Sequence, residues 1–219
     1  MDPMTGLDDA ATAQAALRLE IAEGIGWLVF DRPASRVNLL TSAVLRRLDS
    51  LIGELEAAVK AGSVRAVIVR SGKDGTFIAG ADVREIATVH DPAVGRQAAR
   101  AGQQVFRRLE KLSVPVIAAI DGLCLGGGTE LALACDYRLC SDRPETRIGL
   151  PEVRLGILPG FGGTTRLPRL IGMRAAVEMI LTGKTLDARR ALRAGLVAEK
   201  VPAPVLYELS LIHTPSPRD

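Results

Sequence analysis

Leu17, Leu19 and Ile21 alternate with Arg18 and Glu20, a period of two that predicts a strand with one buried face. Gly24 and Gly26 flank a turn into an apolar run at 27–30, so the segment reads as a β-hairpin. A loop with Pro33 and Asn38 follows. From 41 to 60 the period changes, with Val44, Leu45, Leu48, Leu51, Ile52 and Leu55 at helical spacing and Gly62 just past the end. Residues 64–70, with Val67, Ile68 and Val69 together, and the apolar run 114–120 are expected to be strands covered on both faces. Between them Asp82 and the pair Asp91-Pro92 are helix starts, the second helix ending near Leu112. Further helices are expected at 127–134, 164–171, 173–182 and 186–194, and short strands at 137–140, 146–149 and 197–201. Strands alternate with helices and no internal repeat is evident, which predicts a single α/β domain.

The two ends break this pattern. Residues 1–16 are rich in Ala and Asp without a useful period and read as a loose arm. Residues 205–219 carry two prolines and no helical period, and read as an irregular tail. Its last part, LSLIHTPSPRD (209–219), looks like translated adapter sequence, so a non-native tail is expected. The acidic start has no apolar core of the kind a secretory signal needs, and no apolar run approaches the ~20 residues of a bilayer span. A cytoplasmic location is expected.

Composition narrows the function classes. The chain has 219 residues, 47% hydrophobic and 24% charged, enough to bury a sizeable core without disulfide or metal staples. The net charge of +3 comes from 23 Arg and 5 Lys scattered among acids, and aromatics are only 3%. Stacking platforms for nucleic acid are hard to build from that, and solvated helix faces explain the charge. Cys124, Cys135 and Cys140 have no metal-ligand spacing and there are only two histidines, His90 and His213, so no metal site is expected. Scarce histidine also leaves proton transfer to carboxylates.

Two glycine-rich segments, FIAGAD (77–82) and GGGTE (126–130), sit where a strand feeds a helix. Neither has the spacing of a dinucleotide fingerprint or a P-loop. What they offer is exposed backbone N–H groups at helix starts, which bind anions or developing oxyanions. Glu130 lies three residues beyond Gly127, and its side chain leans back toward the helix start beside that donor. Glu152, in the Leu150-Pro151-Glu152 loop, is a second candidate. On the residues alone both could equally be dipole-compensating or capping glutamates.

FIAGAD, IDGLCLGGGTELALACDYRL (120–139) and GLPEVRLGILPGFGGTTRLPRLIG (149–172) together resemble the enoyl-CoA hydratase/isomerase (crotonase) family, and more narrowly the hydratase end of the multifunctional fatty-acid oxidation complex α-subunit. The likeness spans roughly 17–204. It implies an α/β fold, a crotonase-like spiral of repeated β-β-α units. It places the oxyanion donors on the N–H groups of Ala81 and Gly127, the two catalytic glutamates on Glu130 and Glu152, and Ala79, Asp82, Val83 and Pro151 along the acyl-CoA site. The implied reaction is hydration of a trans-2-enoyl-CoA in β-oxidation, with Glu130 activating water and Glu152 protonating C2. No cofactor is implied beyond coenzyme A as part of the substrate, since NAD belongs to the dehydrogenase domain of a full-length parent. An oligomeric parent, with a thiolase subunit as candidate partner, follows from the same likeness. The family's domain continues past Pro204 into helices that complete the pocket, and here that part is expected to be missing or replaced. Alternatives are a Δ3-Δ2-enoyl-CoA isomerase, a truncated fragment that binds acyl-CoA without turnover, and a hydrolase of the related protease-like fold, for which no histidine is well placed.

Overall fold

The computed structural model describes residues 11–212. Residues 11–16 form a short helical run, which corrects the expected loose arm: Ala13 and Ala16 are buried in the main core. Residues 1–10 and 213–219 lie outside the described residues, and with them His213 and most of the suspected non-native segment.

The chain then runs through β1 (Leu17–Ala22), β2 (Ile25–Phe30), α1 (Ser42–Lys60), β3 (Ala66–Ser71), β4 (Thr76–Ile78), α2 (Val83–Ala87) and α3 (Pro92–Glu110). Next come β5 (Val116–Ile120), β6 (Leu123–Leu125), α4 (Gly127–Leu133), β7 (Tyr137–Ser141), β8 (Arg147–Gly149) and a 3-10 turn (Glu152–Leu155). The rest is α5 (Gly163–Ile171), α6 (Met173–Thr182), β9 (Thr185–Leu186), α7 (Ala188–Arg193), β10 (Glu199–Val201), a second 3-10 turn (Ala203–Val205) and α8 (Leu206–Ile212).

The local chemistry behind these elements is direct. Glu23 and Gly24 both take positive φ, 54° and 81°, the geometry of a tight two-residue hairpin loop between β1 and β2. Thr41, Asp82 and Asp91 cap α1, α2 and α3 by accepting backbone N–H bonds, and Pro92 fills the first position of α3.

A large sheet has the order β1-β2-β3-β5-β7-β10, and a small one the order β4-β6-β8-β9. The pairs β3–β4, β5–β6 and β7–β8 each give their first strand to the large sheet and their second to the small one. That is the expected spiral of β-β-α turns. Within the large sheet Val67, Val69, Val116, Ala118 and Ile120 face the main core, whereas Ile68, Ile117, Ala119 and Leu139 belong to a second cluster on the other side. Strands β3 and β5 are thus covered on both faces, as expected.

The second face is covered by the segment expected to be irregular. Leu206 is fully buried there, and the Tyr207 hydroxyl donates to Ser71 O at 3.2 Å while its ring lies under the Arg70 guanidinium. Residues 206–212 are therefore helical, a correction to the sequence reading. Seven residues are too few to display a helical period; Leu206 and Tyr207 are among those that pack against the sheet.

Candidate active site

Strands β4, β6 and β8 are parallel neighbours, with Ile78 opposite Cys124 and Leu125 opposite Gly149. Whatever follows these three strands is gathered at one edge, the usual place for a ligand in an α/β sheet. The segments so gathered are Gly80-Ala81, Gly126-Gly127 and Pro151-Glu152. Gly126 has φ +51° and ψ −124°, and a Cβ there would lie 3.8 Å from Gly80 Cα and 3.1 Å from Glu152 Oε1. Gly128 lies so close to β4 that a Cβ would stand 2.3 Å from Ile78 O. The glycine run is what lets α4 start against the end of β4. The N–H groups of Ala81 and Gly127 have no backbone acceptor among the described residues, and both residues line one cavity of about 280 Å³.

Glu130, in the first turn of α4, is 2% exposed and lines the same cavity. Its Oε1 accepts two N–H bonds of 2.8 Å, from Phe161 and Gly163. Burial pushes its carboxyl up to about 7, and the neighbouring Glu152 adds to the rise, while the two N–H bonds and Arg166 oppose it. Glu152 begins the 3-10 turn after β8. It is also buried, its Oε2 has no hydrogen-bond partner, and burial raises its carboxyl above the ordinary value. A buried carboxyl oxygen without a donor favours the protonated form, whereas a carboxyl oxygen holding two N–H donors is built for the charged one. The environments thus suit one carboxyl as acid and the other as base.

Of the other expected site residues, Ala79 and Pro151 line this cavity. Asp82 lines a larger adjoining cavity of about 870 Å³ between α1 and α3. Its carboxylate caps α2 and hydrogen-bonds Arg84, which holds it below the usual range. Val83 lines neither cavity and is 48% exposed. The structure adds what sequence reasoning missed: the PGFGG loop (159–163) supplies the donors that hold Glu130. Ile86, Val89, Leu155 and Leu158 give the cavity an apolar wall. The glycines of PGFGG were the available signal for close backbone approach. The three cysteines are free and buried, with thiols pushed up to about 12 by burial. Among the described residues, no cluster of His, Cys, Asp or Glu is placed to hold a metal ion, and no helix is long and apolar enough to cross a membrane.

Residues 20–212 match the family model described as enoyl-CoA hydratase/isomerase. The fatty acid oxidation complex subunit alpha of Idiomarina loihiensis is 46% identical over 199 residues, covering 90% of this chain and 28% of that protein. The subunit of the same description from Vibrio cholerae is 47% identical over 184 residues, 84% of this chain and 26% of its own length. The chain thus spans under a third of the curated relatives it matches. Among solved structures, enoyl-CoA hydratase from Bacillus anthracis superposes with a TM-score of 0.81 at 36% identity, covering 90% of this chain and 74% of that one. Enoyl-CoA hydratase from Thermoplasma volcanium GSS1 gives 0.81 at 29% identity, covering 90% and 75%.

Proposed function

The chain belongs to the enoyl-CoA hydratase/isomerase family, and from that premise we propose that it adds water across the double bond of a trans-2-enoyl-CoA to give a 3-hydroxyacyl-CoA. The observation that carries the reading is that two buried carboxyl groups, Glu130 and Glu152, share one cavity with the Ala81 and Gly127 N–H donors. The thioester oxygen accepts both N–H bonds, so the charge that builds up there during attack is stabilised, each such donor being worth about 3–4 kcal/mol. The Glu130 carboxylate takes a proton from water as the oxygen bonds to C3. The electron pair moves toward the thioester, and Glu152 delivers its proton to C2. Proton exchange between the two carboxyls then restores the starting state.

Ala79 and Pro151 line the acyl-CoA path at the reacting carbons, with Asp82 further out in the adjoining cavity. No metal or redox cofactor is called for, since coenzyme A enters as part of the substrate. We place the reaction in fatty-acid β-oxidation, in the cytoplasm, within an oligomeric parent that pairs with a thiolase subunit. Isomerisation of a Δ3-enoyl-CoA needs only one carboxyl to move a proton between C4 and C2, so the second buried carboxyl favours hydration. Glu152→Gln is expected to lower loss of the conjugated enoyl-thioester absorbance by about 10²–10⁴-fold while thioester binding is retained. Unchanged turnover would sink the role of Glu152. A fragment that binds acyl-CoA but does not turn it over would show that the domain's activity needs the rest of a longer chain.

A further inference from the structure

We infer that Phe161 is a positioning residue that fixes the Glu130 carboxylate, and that Gly102 of α3 is the seat its ring requires. The Phe161 ring is held at both edges by glycines. A Cβ on Gly102 would stand 2.4 Å from its Cδ1, and a Cβ on Gly127 would stand 3.4 Å from its Cδ2. The ring also meets Phe106 edge-on, with centroids 5.5 Å apart. From the same residue the backbone N–H donates to Glu130 Oε1 at 2.8 Å, and two residues later Gly163 does the same.

The loop that carries these donors hangs from α3 at three further points. Gln103 Nε2 donates to Gly160 O at 2.8 Å, Phe106 packs on the ring, and Arg166 ties Phe161 O to the Glu110 carboxylate. Gly102 lies inside a 19-residue helix, where glycine is destabilising relative to alanine. Its contact with the ring accounts for it, because no larger residue leaves room. Helix α3 touches none of the reacting groups through Gly102, so the glycine acts only through Phe161.

The significance for catalysis rests on the reading of Glu130 as the base, so the test reads the carboxyl itself. In the whole chain carrying glutamate isotopically labelled at the carboxyl carbon, the Glu130 signal is assigned by its loss in Glu130→Gln and titrated by NMR. Glu152 and Arg166 are the charged groups acting on it. Gly102→Ala is expected to displace the ring and loosen both N–H bonds, raising the Glu130 midpoint by about one pH unit or more. In a Phe161→Ala background the added methyl occupies space the ring has left, so Gly102→Ala should cause no further shift. Equal shifts in both backgrounds, or a folded Gly102→Ala protein with an unmoved midpoint, would overturn the inference. If Gly102→Ala alone does not fold, recovery of the fold in Gly102→Ala/Phe161→Ala supports it, and failure of both variants to fold overturns it. A shifted titration in a chain that never hydrates an enoyl-thioester would leave the positioning intact and remove the proposed function instead.

Discussion

Gly126 and Glu152 are pressed together: the first carbon of any side chain on Gly126 would stand 3.1 Å from Glu152 Oε1. That carbon would also sit on a backbone with φ +51° and ψ −124°, a conformation L-residues rarely adopt. Gly126→Ala therefore combines strain of about 1–3 kcal/mol with displacement of a proposed catalytic carboxyl. Turnover of an enoyl-thioester should fall by about 100-fold or more, since a small misplacement of a reacting group costs that much. Steady-state kinetics beside a thermal melt separates the two effects. A variant with lowered melting temperature but near-normal turnover would show that Glu152 tolerates the shift.

Much of this arrangement was legible because it is local. The caps Thr41, Asp82 and Asp91, the helical period of α1 and the placement of Glu130 three residues past Gly127 all follow from neighbours in sequence. The strands β4 and β6 escaped as separate elements because each has three residues, too few for a period to show. The donors to Glu130 lie 31 and 33 residues away and act through backbone N–H groups, which no side-chain pattern records. The seat of Phe161 against Gly102 is hidden for a related reason. It is a fit between a ring and a missing side chain 59 positions apart in numbering, visible only once α3 and the loop are brought together.

Asn38, expected only as part of a loop, ties strands β2, β3 and β4 to the Ala79 segment. It is buried, and its Nδ2 donates to Phe30 O, Ser71 Oγ and Phe77 O at 3.0, 2.9 and 3.0 Å. Its Oδ1 accepts the Arg32 N–H at 2.9 Å, and its main-chain oxygen accepts the Ala79 N–H at 2.9 Å. Asn38→Ala strips the partners from several buried backbone groups at once, so a loss of about 2–4 kcal/mol is expected. Urea unfolding gives that number from the shift in midpoint at constant slope. A loss below about 0.5 kcal/mol, the level of an ordinary surface substitution, would mean that the loop repairs itself with water.

Glu130 also ties activity and stability to pH in opposite senses. As the proposed base it must be ionised, and with its carboxyl pushed up to about 7, kcat/KM should fall as pH drops below that value. Stability runs the other way. Between the ordinary value of 4.5 and about 7 the folded protein keeps a proton on Glu130 that the unfolded chain has released. The folded state then binds more protons, so this group's contribution is fully present below 4.5 and is lost as pH rises through 7. Its size is bounded at about 3 kcal/mol by the shift of the carboxyl. Glu130→Gln removes the titration, so the melting temperature of the variant should climb relative to the unaltered protein from pH 4.5 to 8, even though its turnover is lost. Glu152 acts on Glu130 and shifts in the same direction, so the same comparison in a Glu152→Gln background separates the two carboxyls. A melting-temperature difference that stays flat across that range would mean that the carboxyl ionises as it does in water, and that it is no buried base.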